Sequence, residues 1–263
     1  MKIGRLIRWL LRPQRWTRAP IERWHAKKTK VIPTGLGNSS ARDAWVCAQL
    51  KSIPAGWRLL DAGAGEQRYR KHCAHLTYVS QDHEAYDGRG NGVGGHVKNW
   101  TYGKTDIVSD IASIPVRDAS FDAVLCTEVL EHVPDPVQVL KELARLTRVG
   151  GRIILSAPFV SFTHFAPFHF CTGLSRYWFE HHLKNFGFED TQMIPNGNFF
   201  EYLAQEIRRL PQMAAEYCGA QTSQTALISS AHLLSFLSEL SGKDRSSALY
   251  TCFGWHVVAE KKK

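Results

Sequence analysis

Short apolar runs recur along the chain, each closed by polar or glycine residues. Segments with apolar positions three and four apart lie between them. The run at residues 57–61, with Leu59-Leu60 ending in Asp61, predicts a buried first strand. Residues 76–80 (Leu-Thr-Tyr-Val-Ser) predict the second, with Asp82 at its carboxyl end. Residues 106–109 predict a third ending at Asp110, and residues 121–126 (Phe-Asp-Ala-Val-Leu-Cys) a fourth. Residues 152–156, 188–194 and 250–260 complete the strands. Helices are predicted over 41–50, 136–147 and 174–185, and the polar stretch 67–75 reads as a helix start. Val139, Leu140, Leu143 and Leu146 share one face of the second of these, with Gly150-Gly151 as its stop. Residues 87–99 are glycine-rich and read as a mobile loop where a crossover helix would stand. Residues 198–240 read as mostly helical, interrupted near Pro211 and Cys218. Strands alternating with helices predict an α/β fold, a doubly wound and mostly parallel sheet with a helical insertion before the last strand.

Charge divides the chain. Of its 263 residues, 44% are apolar, enough for a sizeable core. The formal charge is +9, and residues 1–30 hold ten Lys/Arg against one acid, Glu22, which leaves 23 bases and 23 acids elsewhere. The expected organisation is therefore a basic arm and linker over 1–40 and one domain over 41–263, with 198–240 as its insertion. In the arm, Ile3, Leu6, Ile7, Leu10 and Leu11 fall on one helical face, and Arg5, Arg8, Arg12 and Arg15 on another. Arg8 and Arg12 break any signal-peptide core. Two readings of the arm stand. Either it lies on an anionic membrane surface with Trp9, Trp16 and Trp24 at the interface, or it packs on the domain. Removing residues 1–30 is expected to abolish co-sedimentation with anionic vesicles; unchanged binding would refute the membrane reading. Cys47, Cys73, Cys126, Cys171, Cys218 and Cys252 are scattered, so neither a zinc site nor a disulfide framework is indicated. No metal ligand set is read. A cytoplasmic setting is expected, membrane-peripheral on the first reading of the arm, with the oligomeric state open.

The chemistry-bearing stretch follows the first strand: Asp61-Ala-Gly63-Ala-Gly65-Glu66. Glycines let the backbone turn sharply and let a ligand lie against it. The third glycine of a dinucleotide fingerprint is missing. Asp61, Asp82 and Asp110 follow three successive predicted strands, at the sheet edge where open α/β sheets bind ligands. A ligand with a sugar diol and a positive charge suits them.

These residues resemble class I S-adenosylmethionine-dependent methyltransferases, over roughly residues 40–195 and the last strand. Leu-Leu-Asp-Ala-Gly-Ala-Gly is similar to the family's first motif. Ser-Phe-Asp-Ala-Val-Leu-Cys-Thr-Glu-Val-Leu-Glu-His-Val is similar to its fourth-strand motif. The resemblance implies a seven-stranded Rossmann-like methyltransferase sheet whose last strand is antiparallel, and S-adenosyl-L-methionine as cofactor. It places Gly63 and Gly65 beside the cofactor's amino-acid moiety with Asp61 nearby, Asp82 on the ribose hydroxyls, Asp110 on the adenine amine and Ile111 along the same pocket. The segment from His164 to Phe179 resembles a subgroup associated with glycan and surface-polysaccharide pathways.

Methyl transfer to a hydroxyl benefits from a nearby base. Candidates after strands four and five are Glu128, Glu131, His132, His164 and His169. Thr127 and Glu128 could equally line the cofactor pocket, and His132 could be a structural hydrogen-bonding residue. The aromatic setting of His164 and His169 suits a lid over the acceptor, with His169 as the leading base. Arg176 and Tyr177 could bind an acidic or sugar acceptor. The expected function is methyl transfer to a small-molecule or glycan hydroxyl. Two alternatives stand beside it: a nucleic-acid methyltransferase, disfavoured by the neutral domain, and a cofactor-binding scaffold without turnover.

Overall fold

The computed structural model describes residues 32–97 and 99–263. The basic arm, residues 1–30, lies outside the described residues. The described residues divide into two compact units: residues 40–196 with 254–263, and residues 32–39 with 197–253.

The first unit is built on seven strands: β1 (Arg58–Ala62), β2 (Thr77–Asp82), β3 (Ile107–Val108), β4 (Phe121–Thr127), β5 (Thr147–Pro158), β6 (Phe188–Asn196) and β7 (Gly254–Lys261). Their spatial order is β3-β2-β1-β4-β5-β7-β6. The pairs from β3 to β5 are parallel, and β7 runs antiparallel between β5 and β6. The central strands are apolar on both faces, as a covered parallel sheet requires: Leu59, Leu60, Ala123, Val124, Leu125 and Cys126 are fully buried. Helix α1 (Asn38–Lys51) sets Val46 and Leu50 against Leu59, Leu125 and Ile154.

Helix α2 (Pro136–Leu146) begins where Asp135 accepts hydrogen bonds from the Val137 and Gln138 amides, with Pro136 at the first helical position. It buries Val139, Leu140, Leu143 and Leu146, the predicted stripe. Gly150-Gly151 does not end it. The helix stops at Leu146 and β5 starts at once, with the glycines inside the strand where its register on β4 shifts between Phe121 and Ala123. Helix α3 (Arg176–Asn185) is capped by Ser175.

Two expectations are corrected here. No α-helix follows β1: residues 67–75 form turns and a short 3-10 helix, Arg70–His72. Gln67 takes a left-handed conformation, φ 53°, and its side chain reaches the Lys104 carbonyl. Only Tyr69 and Cys73 of this stretch pack into the core, too narrow an apolar stripe to hold a helix. The glycine-rich loop is not free either. The Asn91 and Gly95 amides donate to the Ala166 and Thr163 carbonyls, and the Phe165 amide donates to Gly95. A Cβ on Gly90 would stand 1.9 Å from the Ala166 oxygen, so glycine permits this backbone-to-backbone approach.

The second unit contains α4 (Phe199–Cys218) and α5 (Gln224–Lys243). Ala204, Ile207, Leu234 and Leu237 form its core with Ile32, Phe200 and Leu203. The predicted break at Pro211 is absent, because α4 continues through that residue. The break falls at Gly219, φ 59°. Residues 33–36, read as linker, are tied down. The Gly35 amide donates to Glu201, and the Arg208 guanidinium donates to the Thr34 and Ile32 carbonyls. Among the described residues no helix is long and apolar enough to cross a membrane.

Candidate active site

The strand order reverses between β1 and β4, so their carboxyl ends open a crevice. The turn after β1 forms one wall. Gly63 has φ 69°, and a Cβ there would meet the Val129 side chain at 2.5 Å, so only glycine fits. The turn is tied to β2: the Gly63 amide donates to the Gln81 side chain, Ala64 to the Gln81 carbonyl, and Gly65 to Asp82 Oδ2 at 2.8 Å.

Asp82 is the polar centre of this wall. Its other oxygen, Oδ1, accepts from the Glu84 amide at 2.9 Å and sits 3.2 Å from His83 Nδ1. Burial alone would raise its pKa. The hydrogen bonds from His83, Glu84 and Gly65 outweigh that and hold the carboxyl below the usual range, so it is ionised at neutral pH. Gln81 carries the contact outward, donating to the Ser109 carbonyl at 2.7 Å. Beyond β3, Asp110 is exposed and caps its own turn through the Ala112 amide, and Ile111 is buried.

The end of β4 forms the facing wall. Glu128 accepts from Arg42 at 2.6 Å and from Ser156 Oγ at 2.9 Å. A 3-10 turn, Leu130–His132, follows and carries Glu131 inward, 1% exposed. His132, His164 and His169 gather beside it. Ring centroids are 4.6 Å apart for His132–His164, 4.9 Å for His164–His169 and 6.1 Å for His132–His169. Burial, followed by the neighbouring His164, pushes the His132 pKa down to about 3, so this ring is neutral at pH 7. Burial also lowers that of His169.

Between the walls lies a cavity of about 370 Å³, within the ~300–1,000 Å³ range of cofactor pockets. Gly63, Gly65, Asp82, Asp110, Ile111, Glu128 and His132 line it. Four predicted site residues do not. Asp61 points into the sheet, 3% exposed, where Tyr78 Oη donates to it at 2.6 Å. Thr127 stays in register with Ser156 on β5. His164 and His169 stand behind His132. The expected meeting of three carboxylates is therefore a meeting of two, Asp82 and Asp110. Asp61 faces away because successive strand residues alternate faces.

Sequence reasoning placed the phenylalanines around His164 and His169 in a lid but missed the other half of the aromatic wall, Tyr86, Trp100 and Tyr102. Tyr86, Trp100 and Tyr102, flanking the glycine-rich loop, line the cavity together with Phe165, Phe168 and Phe170. Tyr86 and Phe165 meet at a tilt with ring centroids 4.6 Å apart, and Trp100 meets Phe165 edge-on at 5.6 Å. Three aromatics bracketing a run of glycines was the available signal.

Comparison with known proteins agrees with this geometry. A family model described as a methyltransferase domain matches residues 60–155. The ubiquinone biosynthesis O-methyltransferase of Xanthomonas oryzae pv. oryzae is 49% identical over 49 residues, 19% of this chain and 20% of that protein. The arsenite methyltransferase of Aquipseudomonas alcaligenes is 28% identical over 173 residues, 60% of this chain and 44% of that protein. The chain thus spans less than half the length of the curated relatives it matches. The solved structure of a SAM-dependent methyltransferase from Archaeoglobus fulgidus shares the fold, with a TM-score of 0.50 at 15% identity, over 85% of this chain and 93% of that one. With the matched segment running from β1 to β5 and β7 inserted antiparallel, the chain carries a class I S-adenosylmethionine-dependent methyltransferase domain.

Proposed function

We propose that this protein transfers a methyl group from S-adenosylmethionine to a hydroxyl oxygen of a small-molecule or glycan acceptor. The observation that carries the proposal is a cavity with a side-chain-free turn and an ionised Asp82 on one wall, and Glu128 and His132 on the other, with His164 and His169 behind His132.

The cavity suits the cofactor. Asp82 Oδ2 accepts only the Gly65 N–H and keeps capacity for a ribose hydroxyl, whereas Oδ1 already accepts from the Glu84 amide and lies 3.2 Å from His83 Nδ1. Asp110 and Ile111 line the same cavity, which supports the adenine contact that the resemblance implies for them. Tyr86, Trp100 and Phe165 offer ring faces, which attract a cationic sulfonium as well as a flat base. When bound, the cofactor supplies the methyl carbon: a C–O bond to the acceptor forms as the S–C bond breaks. The chain's own residues orient the partners, exclude water through the aromatic wall and take the hydroxyl proton.

His169 is the proposed base. Ser161 Oγ donates to the Thr172 carbonyl at 2.9 Å, so its contact with His169 Nε2 at 3.1 Å places the proton on that nitrogen. Nδ1 is then the basic atom. An oxygen acceptor accords with the O-methyltransferase named among the relatives. The glycan alternative rests on the His164–Phe179 resemblance.

A label-transfer screen tests the proposal. Purified protein and radioactive methyl donor are incubated with cell-extract fractions, including lipid-linked material. Label is expected in a small-molecule or glycan fraction and should survive mild alkali, as a methyl ether does and a methyl ester does not. Labelling of nucleic acid alone, or none in any fraction, would refute it. His169→Ala should lower turnover and spare cofactor binding; full turnover would remove it from the base role.

A further inference from the structure

We propose that Glu131, His132 and His164 form a binding site for one divalent first-row transition ion such as Zn²⁺, at the acceptor end of the cavity. The three side chains come from two separate segments, the 3-10 turn after β4 and the loop after β5, and each offers a ligand atom within 4.8 Å of the others. Glu131 Oε1 lies 3.6 Å from His132 Nε2 and 3.9 Å from His164 Nε2. Those separations exceed a hydrogen bond. They come close to the spacing of about 3–3.5 Å between ligands that each sit about 2.1 Å from a shared ion.

The tautomers carry the inference. His132 Nδ1 contacts the Phe168 carbonyl, and His164 Nδ1 contacts the Phe162 carbonyl at 2.8 Å. A carbonyl only accepts, so in each neutral ring the proton sits on Nδ1 and Nε2 carries a lone pair. Both lone pairs lie on the side of a carboxylate that is itself an acceptor. Glu131 is 1% exposed, and among the described residues neither of its oxygens has a hydrogen-bond partner; the same holds for His132 Nε2. Converging acceptors in a dry site are costly until a cation joins them. A ligating histidine whose other nitrogen donates to a carbonyl is the usual outer arrangement of a metal site. Two imidazoles and a carboxylate select Zn²⁺, Co²⁺ or Fe²⁺ over Mg²⁺ and Ca²⁺, which take oxygen ligands.

His132 lines the cavity while Glu131 and His164 stand behind it, so the ion would sit on the inner side of the His132 ring. Resting on the proposed O-methyl transfer, an acceptor hydroxyl that reaches past that ring would be bound by the ion and its pKa lowered, easing proton loss before the oxygen attacks carbon. Ion occupancy itself does not depend on that function.

The test uses the full chain, stripped with chelator and dialysed against Zn²⁺, with bound metal counted by mass spectrometry. S-adenosylmethionine binding is measured in parallel. One Zn²⁺ per chain is expected. Glu131→Gln and His164→Ala, checked for folding by circular dichroism, should each bind it at least tenfold more weakly, and His181→Ala should bind it normally. Co²⁺ in the wild type should give visible bands of nitrogen and oxygen ligation. No retained Zn²⁺ in a wild type that binds S-adenosylmethionine would overturn the ion site alone. Unweakened Zn²⁺ binding by folded Glu131→Gln and His164→Ala, or a thiolate spectrum with Co²⁺, would also overturn it. Failure to bind S-adenosylmethionine would instead count against the proposed function.

Discussion

Replacing Asp82 with alanine is expected to weaken S-adenosylmethionine binding by about 10- to 100-fold, the equivalent of the ~1.5–3 kcal/mol of a hydrogen bond to a charged group. Two losses combine. The ribose hydroxyls lose their acceptor, and the Gly65 and Glu84 amides lose theirs, so the turn that receives the cofactor loosens. Asp82→Asn retains an acceptor but no charge and should fall between. Thermal melting reads the effect: the rise in melting temperature produced by the cofactor should shrink sharply in Asp82→Ala. An undiminished rise would remove Asp82 from the cofactor site. Asp110→Ala should cost less, because Asp110 is exposed and water competes for its carboxylate.

Asp61→Asn is expected to stabilise the protein at pH 8 by up to about 3 kcal/mol, the cost of holding this carboxylate ionised when burial has pushed its pKa up to about 6. Burial, only partly offset by the Tyr78 hydroxyl, pushes the Asp61 pKa up to about 6, with the Asp82 charge adding to it. Above pH 6 the native protein therefore carries a buried charge that the unfolded chain hydrates freely. As the pH falls from about 6 toward 4, the native carboxyl takes a proton first and stability is gained; as the pH rises through the same window it is lost. Asparagine removes the charge and still accepts from Tyr78. His256 has the opposite sign. Burial pushes its pKa down to about 4, so its contribution is present above about 6.5 and lost as the pH falls toward 4. In the wild type the two partly cancel. Asp61→Asn leaves His256 unopposed, so its stability should fall more steeply on acidification. Urea unfolding at pH 5 and pH 8 measures both effects. A variant less stable than wild type at pH 8 would contradict this account. Since Asp61 faces away from the cavity, cofactor affinity should be unchanged, although Asp61 heads the motif.

What was legible in the sequence was what local periodicity encodes. Leu59-Leu60 and residues 121–126 announced buried strands, and the apolar stripe of α2 announced a helix. The carboxyl-end rule then put Asp82 and Asp110 at the crevice. It could not give the facing of Asp61, because register decides which side of a strand a residue takes. The helix expected after β1 failed because its polar residues, Gln67 and Arg70 among them, were bound to partners rather than to a helix ladder. The glycine-rich loop read as mobile because the backbone it packs against, residues 163–166, is distant in sequence. The Glu131, His132 and His164 group was hidden for the same reason. Its adjacent pair read as base candidates or, for His132, as a structural hydrogen-bonding residue, and the third member arrives only through folding.

The most direct test of the central claim is titration calorimetry of the wild-type protein with S-adenosylmethionine and with S-adenosylhomocysteine, each repeated on Asp82→Ala. The account predicts one site per chain for both ligands, with both weakened by the substitution. The absence of a saturable site in the folded wild type, or equal affinity in the two proteins, would contradict it.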